Sequence, residues 1–69
     1  MQFTAIIERG EKYLMASCPE VPEANGQGLT REEVLQDLTD SIQSVLEYKR
    51  ETGLSLAAAD SEKTAVTIP

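Results

Sequence analysis

The chain has 69 residues, one cysteine, no histidine and a formal net charge of −6. Its length is that of one small domain, and a single cysteine without histidine excludes an internal disulfide and the common zinc ligand sets. Twelve acidic against six basic side chains oppose direct binding to nucleic acid; they favour a basic protein partner or serve solubility alone.

The sequence also bears on location and assembly. It begins without a basic region followed by an apolar segment, and its apolar runs are no longer than four residues, so we expect a cytoplasmic protein without an export signal or membrane span. Residues 1–69 form one predicted domain. A domain this small buries only about 60% of its unfolded surface, so we expect self-association to support it.

Two strands and a hairpin are predicted at the N-terminus. Phe3, Ala5 and Ile7 alternate with Gln2, Thr4 and Glu8, with Ile6 the one apolar exception on the polar side, which is the period of a half-buried strand. A second strand is predicted over residues 13–18, after a turn in which Gly10 supplies a permissive backbone. Either side of that second strand is apolar enough to meet a core.

Proline and glycine dominate the segment that follows. Pro19 ends the second strand because it lacks the amide hydrogen that a sheet ladder requires. The glycine-containing residues 26–28 are compatible with a short third strand or with a bulged edge, and periodicity does not decide between them.

A long amphipathic helix is predicted from about Arg31 to Arg50. Thr30 and Glu33 form a capping box at its start, and Gly53 is placed for a left-handed residue after its end. Lys49 and Arg50 suit the negative end of the helix dipole. The apolar stripe that should face the sheet comprises Val34, Leu35, Leu38, Ile42, Val45 and Leu46.

The C-terminal part is predicted as a linker over residues 54–62 and a last strand over residues 63–68, which alternate and are β-branched. The expected fold is α+β, with a mostly antiparallel sheet of three to four strands and one long helix on one face. The other face would expose Ile6 with either Tyr13 and Met15 or Leu14 and Ala16, so we expect a homodimer or a higher homo-oligomer.

Catalytic signals are weak. Acidic pairs such as Glu32–Glu33 are explained by solvation and the helix dipole, and Cys18 has no histidine to activate it. A metal-dependent nuclease would need converging carboxylates, and the strands offer few. The sequence therefore predicts no catalytic residues, no cofactor and no metal.

The loop before the helix and the start of the helix contain a recognisable pattern. Its residues are Pro19-Glu20-Val21-Pro22, Gln27-Gly28, Thr30 and Glu32-Glu33. This pattern resembles the signature of HicB-like antitoxin domains, and the resemblance covers nearly the whole chain. The chain departs from the family's pattern at Glu23, where glycine is preferred, and at Leu29, where an acid is preferred.

The resemblance implies a degraded ribonuclease-H-like fold that lacks its catalytic acids and binds a toxin. That toxin would be a small basic HicA-type mRNA ribonuclease, whose active site the antitoxin covers. The loop residues Glu20, Glu23 and Gln27 are then the candidate partner-binding residues. The alternatives are a stand-alone oligomeric HicB-like domain with another binding role and no toxin, and, from another class, the metal-dependent nuclease.

Overall fold

The computed structural model describes residues 2–69, which form a three-stranded antiparallel sheet in the order β1-β2-β3 and one long helix. The expected α+β class with a single long helix is confirmed. The elements are β1 (Ile6–Arg9), β2 (Leu14–Ser17), β3 (Asn25–Gly28) and α1 (Arg31–Leu56). The glycine-containing segment that periodicity left open is therefore a strand, β3.

The hairpin between β1 and β2 differs from the sequence prediction in its loop. The loop covers residues 10–13, and the Gly10 N–H donates to the Tyr13 carbonyl at 2.8 Å. Gly10 has no positive φ; a Cβ there would instead lie 2.9 Å from the Tyr13 carbonyl oxygen. Glycine is therefore needed for space and not for a left-handed backbone.

Both prolines of the segment between β2 and β3 lie in β-turns. The Val21 N–H donates to the Cys18 carbonyl at 3.1 Å, and the Ala24 N–H donates to the Val21 carbonyl at 3.0 Å. Pro19 and Pro22 each occupy the second position of their turn, where the fixed φ of proline is favourable. The two consecutive turns carry Cys18, Val21 and Ala24 into the core.

The core lies between the sheet and the first half of α1. The helix contributes Val34, Leu38 and Ile42, all buried, which confirms the centre of the predicted stripe. Leu35 and Val45 flank them half-buried, whereas Leu46 is 40% exposed. The other buried apolar side chains are those of Ala16, Cys18, Val21 and Ala24.

The C-terminal half of α1 corrects the predicted helix end. The helix continues to Leu56, and Gly53 lies inside it without a positive φ. A single glycine costs a helix only about 1 kcal/mol, so it does not have to end one. Ala57 ends the helix in an extended conformation, and the predicted basic residues Lys49 and Arg50 precede the last turn, which contains none.

The predicted last strand is also absent. Residues 57–69 form neither helix nor strand and are exposed throughout. A strand exists only where a neighbouring backbone completes its hydrogen bonds, and the helix extends past the predicted end before this segment begins. The linker predicted over residues 54–62 is correspondingly wrong at its start, where Leu54 and Leu56 are helical.

The backbone of α1 lies directly against β3, and two glycines make this approach possible. A Cβ at Gly26 would lie 2.6 Å from the Leu38 nitrogen and 2.9 Å from the Val34 carbonyl oxygen. A Cβ at Gly28 would lie 2.8 Å from the Val34 nitrogen. Such distances exclude any side chain, so the glycines of β3 are required by packing.

Side chains of α1 accept hydrogen bonds from every second N–H along β3 and the residue after it. Four residues of a helix rise about 6 Å, which is nearly the length of two residues of a strand. Acceptor side chains at every fourth position of α1 therefore lie opposite every second N–H group of β3. The Asn25 N–H donates to Ser41 Oγ at 3.1 Å, Gln27 N–H to Asp37 Oδ2 at 2.9 Å, and Leu29 N–H to Glu33 Oε2 at 2.9 Å.

The start of α1 joins the same arrangement. The Glu33 N–H donates to Thr30 Oγ1 at 3.1 Å, which confirms Thr30 as the N-cap. The Glu33 carboxylate, however, bonds the N–H of Leu29 instead of the cap residue's own N–H. The capping pair therefore also satisfies the first N–H after β3.

Alanine substitutions at two glycines test the close helix contact. Gly26→Ala should lower the free energy of unfolding by about 1–3 kcal/mol, because its Cβ overlaps helix backbone. Gly53→Ala is the matched control: nothing lies within 4 Å of its Cβ, so alanine should raise that free energy by about 0.5–1 kcal/mol. Urea unfolding followed by circular dichroism measures both, and equal effects would contradict the packing account.

Candidate protein-binding surface

The sheet face turned away from α1, here called the open face, consists of two rows of cross-strand neighbours. In one row Ile6 pairs with Ser17 and Ser17 with Asn25. In the other row Glu8 pairs with Met15 and Met15 with Gln27. Tyr13 lies just before β2 and two residues from Met15, so its side chain falls on the same face as that of Met15. Every one of these residues is exposed.

Three large apolar side chains of the open face remain in contact with solvent. Ile6, Tyr13 and Met15 are 45%, 44% and 47% exposed. Met15 lies at the centre of the sheet between Glu8 and Gln27, and its unbranched thioether side chain adapts readily to different contact shapes. Half-exposed apolar groups bordered by polar ones are the composition of a protein-contact surface.

The loop between β2 and β3 is fastened to the N-terminal segment through Glu20. The Thr4 hydroxyl donates to Glu20 Oε2 at 2.6 Å and the Thr4 N–H to Oε1 at 2.9 Å. The thiol of the buried Cys18 also donates to Oε1, at 3.3 Å. These bonds, the Thr4 hydroxyl first, lower the pKa of Glu20 from 4.5 to about 2.

A second contact fastens the same loop to the helix. Lys49 Nζ lies 2.6 Å from Glu23 Oε2, and both side chains are about half exposed. The hydrogen bond from the Lys49 ammonium lowers the pKa of the Glu23 carboxyl. Because the pair is exposed to solvent, it contributes little to stability and chiefly neutralises the Glu23 charge.

An open groove of about 470 Å³ lies on the other side of the molecule, between the N-terminal segment and α1. The helix packs on β3 and β2 but has no comparable packing on β1, so Leu35 and Leu46 are only partly covered there. The groove's lining includes Phe3, Ala5, Leu35, Leu38, Ile42 and Leu46.

Residues 2–69 contain neither a metal-binding cluster nor a membrane-spanning helix. Among residues 2–69, no group of three or more His, Cys, Asp or Glu side chains is arranged so that it could hold a metal ion. Within the same residues, α1 is not apolar enough over a sufficient length to cross a membrane.

Comparison with known proteins gives one relative. The UPF0150 protein ssl0738 of Synechocystis sp. (strain ATCC 27184 / PCC 6803 / Kazusa) is 45% identical to this chain over 51 residues, which cover 72% of this chain and 71% of the relative. The chain belongs to the UPF0150 family. No family model matches this UPF0150 chain, and no solved structure matches it.

The three predicted partner-binding residues lie in different surroundings in this UPF0150 chain. Glu20 and Glu23 direct their carboxylates to Thr4 and to Lys49, which fastens the loop within the chain. Gln27 stands on the open face, and within residues 2–69 its side chain makes no hydrogen bond. The loop residues are thus held in intrachain contacts, and the open face presents Gln27.

Sequence reasoning missed the groove between α1 and the segment that leads into β1. The helix stripe was visible in the sequence, but the sequence does not show that α1 lies over β3 and β2 and leaves β1 aside. The available signal was the pair of glycines in β3, which mark the strand that a helix backbone approaches closely. That signal indicates, by exclusion, which side of the sheet the helix leaves uncovered.

Acid sensitivity tests the role of Glu20. The folded-state pKa lies below the ordinary value, so the carboxylate stabilises the fold above about pH 4.5, and this contribution is lost as the pH falls toward 2. Glu20→Gln should therefore lower the melting temperature at neutral pH, and its difference from the parent should shrink across that window.

Glu47→Gln is the charge-matched control for this prediction, because Glu47 lies exposed on α1 away from the loop. Thermal unfolding at a series of pH values measures both variants. A constant difference between Glu20→Gln and the parent from pH 7 to pH 2 would contradict the role assigned to the Glu20 carboxylate.

Proposed function

We propose that this UPF0150 chain is a non-catalytic protein-binding module of the HicB-like antitoxin type. It neutralises a small basic HicA-type mRNA ribonuclease by covering its active site. The proposal draws on the loop signature of Pro19, Pro22, Gln27 and Gly28, on the family membership and on the surface of the sheet.

The observation that carries the proposal is the open face. It offers adaptable apolar area at Met15, flanked by Ile6 and Tyr13, and polar groups at Glu8 and Gln27 in the same row as Met15. A flat sheet face of this composition suits a protein partner better than a small molecule, since small ligands favour concave pockets.

Charge supports a basic partner. The formal net charge is −6, and the exposed length of α1 carries carboxylates at Glu32, Asp40, Glu47 and Glu51. An acidic protein speeds its encounter with a basic one and disfavours association with nucleic acid. This combination of charges suits the occlusion of a basic ribonuclease that itself binds RNA.

The non-catalytic part of the proposal rests on what the acidic side chains do. Glu33 and Asp37 accept hydrogen bonds from N–H groups at and just after β3, Glu20 holds Thr4, and Glu23 pairs with Lys49. Carboxylates engaged in this way stabilise the fold and are poorly placed to act as general bases. The proposal places the protein in the cytoplasm, where an mRNA ribonuclease acts and where Cys18 stays reduced.

Self-association is the second part of the proposal, and it supports the alternative function of a stand-alone oligomeric HicB-like domain without a toxin partner. The specific observation in its favour is the exposed C-terminal tail, in which Val66 and Ile68 are 82% and 73% exposed. A homodimer or higher homo-oligomer covers such residues.

Binding of a basic HicA-type ribonuclease tests the proposal. The chain should bind the purified ribonuclease, inhibit its cleavage of mRNA, and bind more weakly as salt screens the exposed charges. Met15→Glu, at the centre of the open face, should weaken binding by at least about 10-fold, measured by calorimetry.

Ser44→Glu is the control for that variant, since it adds the same charge on exposed helix surface. It should leave binding and inhibition unchanged. The proposal would be wrong if RNA cleavage continued at saturating concentrations of the chain, and the open face would be the wrong surface if Met15→Glu bound as tightly as the parent.

A further inference from the structure

The two edges of the sheet differ in whether their outward N–H groups are hydrogen-bonded. The outward N–H groups of β3 at Asn25 and Gln27 donate to side chains of α1, so that edge is closed. On the other edge, Gly10 donates inward to Tyr13, and alternation then directs the backbone groups of Ile7 and Arg9 outward. Within residues 2–69 no bond to those outward N–H groups is found.

The open edge and the groove are next to each other. The groove's lining includes Phe3 and Ala5, which lead into β1, and Leu35 and Leu46 from α1. A strand added to the β1 edge would therefore bring alternate side chains to the apolar groove while its backbone pairs with β1. The site fits an extended segment with apolar residues at every second position.

The chain itself contains such a segment. In residues 63–68, Val66 and Ile68 fall on one side of an extended strand and Ala65 and Thr67 on the other. Val66 and Ile68 are among the most exposed large apolar side chains of the chain's described part, and no neighbouring backbone pairs with this segment. Pro69 then follows, where a strand can stop.

We infer that residues 63–68 of a second copy bind along the β1 edge, with Val66 and Ile68 in the groove, and that the exchange is reciprocal. This inference rests on the proposed self-association and specifies its interface. The described part of each chain offers one open edge and one unpaired strand-forming segment, so reciprocal exchange pairs both β1 edges and forms a closed, two-fold symmetric dimer.

A second copy is the occupant that the structure favours. The chain's own tail stays away from its own groove, since residues 57–69 are exposed throughout. The Ser61 N–H donates to the Ala58 carbonyl at 3.0 Å, and this turn lies between the end of α1 and the strand-forming residues. A tail that leaves its own groove open is available to a partner with the same groove.

Light scattering after size-exclusion chromatography tests the inference over a wide range of concentrations. The full chain should have twice the protomer mass of 7.5 kDa at high concentration. The double variant V66D/I68D should raise the dimer dissociation constant at least about 100-fold, because two side chains lose their apolar site. Thr67→Asp, on the opposite side of the strand, should remain dimeric.

A second variant tests the edge itself. Arg9→Pro removes an outward N–H, and edge strands tolerate proline at such positions, so the monomer should keep its circular dichroism spectrum while dimerisation is lost. Persistence of the dimer in both variants would overturn the inference. Equally, a concentration-independent monomer whose amides at residues 65–68 resist hydrogen exchange would show that the chain's own tail fills the site.

These outcomes are separate from those of the proposed function. Met15→Glu alters the open face and leaves the groove and the tail unchanged, whereas V66D/I68D does the reverse. A parent chain that binds the ribonuclease but stays monomeric would contradict the tail exchange alone. A parent chain that dimerises through its tail but does not bind the ribonuclease would contradict the toxin-binding proposal alone.

Discussion

The close approach of α1 to β3 is the constraint on which the rest of the structure depends. Gly26 and Gly28 leave no side chain between helix and strand, so helix backbone and strand backbone lie in contact. At this distance the short side chains of Asp37 and Ser41 reach the outward N–H groups of β3. A larger residue at either glycine would move the helix outward and break these bonds together.

The same contact explains the asymmetry of the sheet. A helix held against β3 covers one edge and the neighbouring strand β2, and it leaves β1 with an unpaired edge beside an open groove. Exposed strand edges invite pairing with other chains, so a protein that closes one edge directs any strand addition to the other. The proposed binding through the open face and the proposed assembly through the β1 edge therefore use separate parts of one sheet.

The sequence predicted those parts of the fold that depend on residues close together in the chain. Thr30 and Glu33 marked the helix start, and Val34, Leu38 and Ile42 marked its buried stripe. The strand β3 was left undecided because its glycines carry no side-chain pattern, and the helix end was misplaced because Gly53 is a weak signal. The predicted last strand failed because a strand depends on a neighbour, which the sequence does not show.

The candidate site was predictable only in part, for a related reason. Residue type indicated an exposed, acidic loop, but it did not show that Glu20 reaches Thr4 or that Glu23 reaches Lys49, since both partners are distant in the sequence. Amide hydrogen exchange of the dilute chain tests the central claim most directly. The N–H groups of Asn25, Gln27 and Leu29 should be protected and those of Ile7 and Arg9 should exchange freely; protection of β1 with rapid exchange along β3 would contradict it.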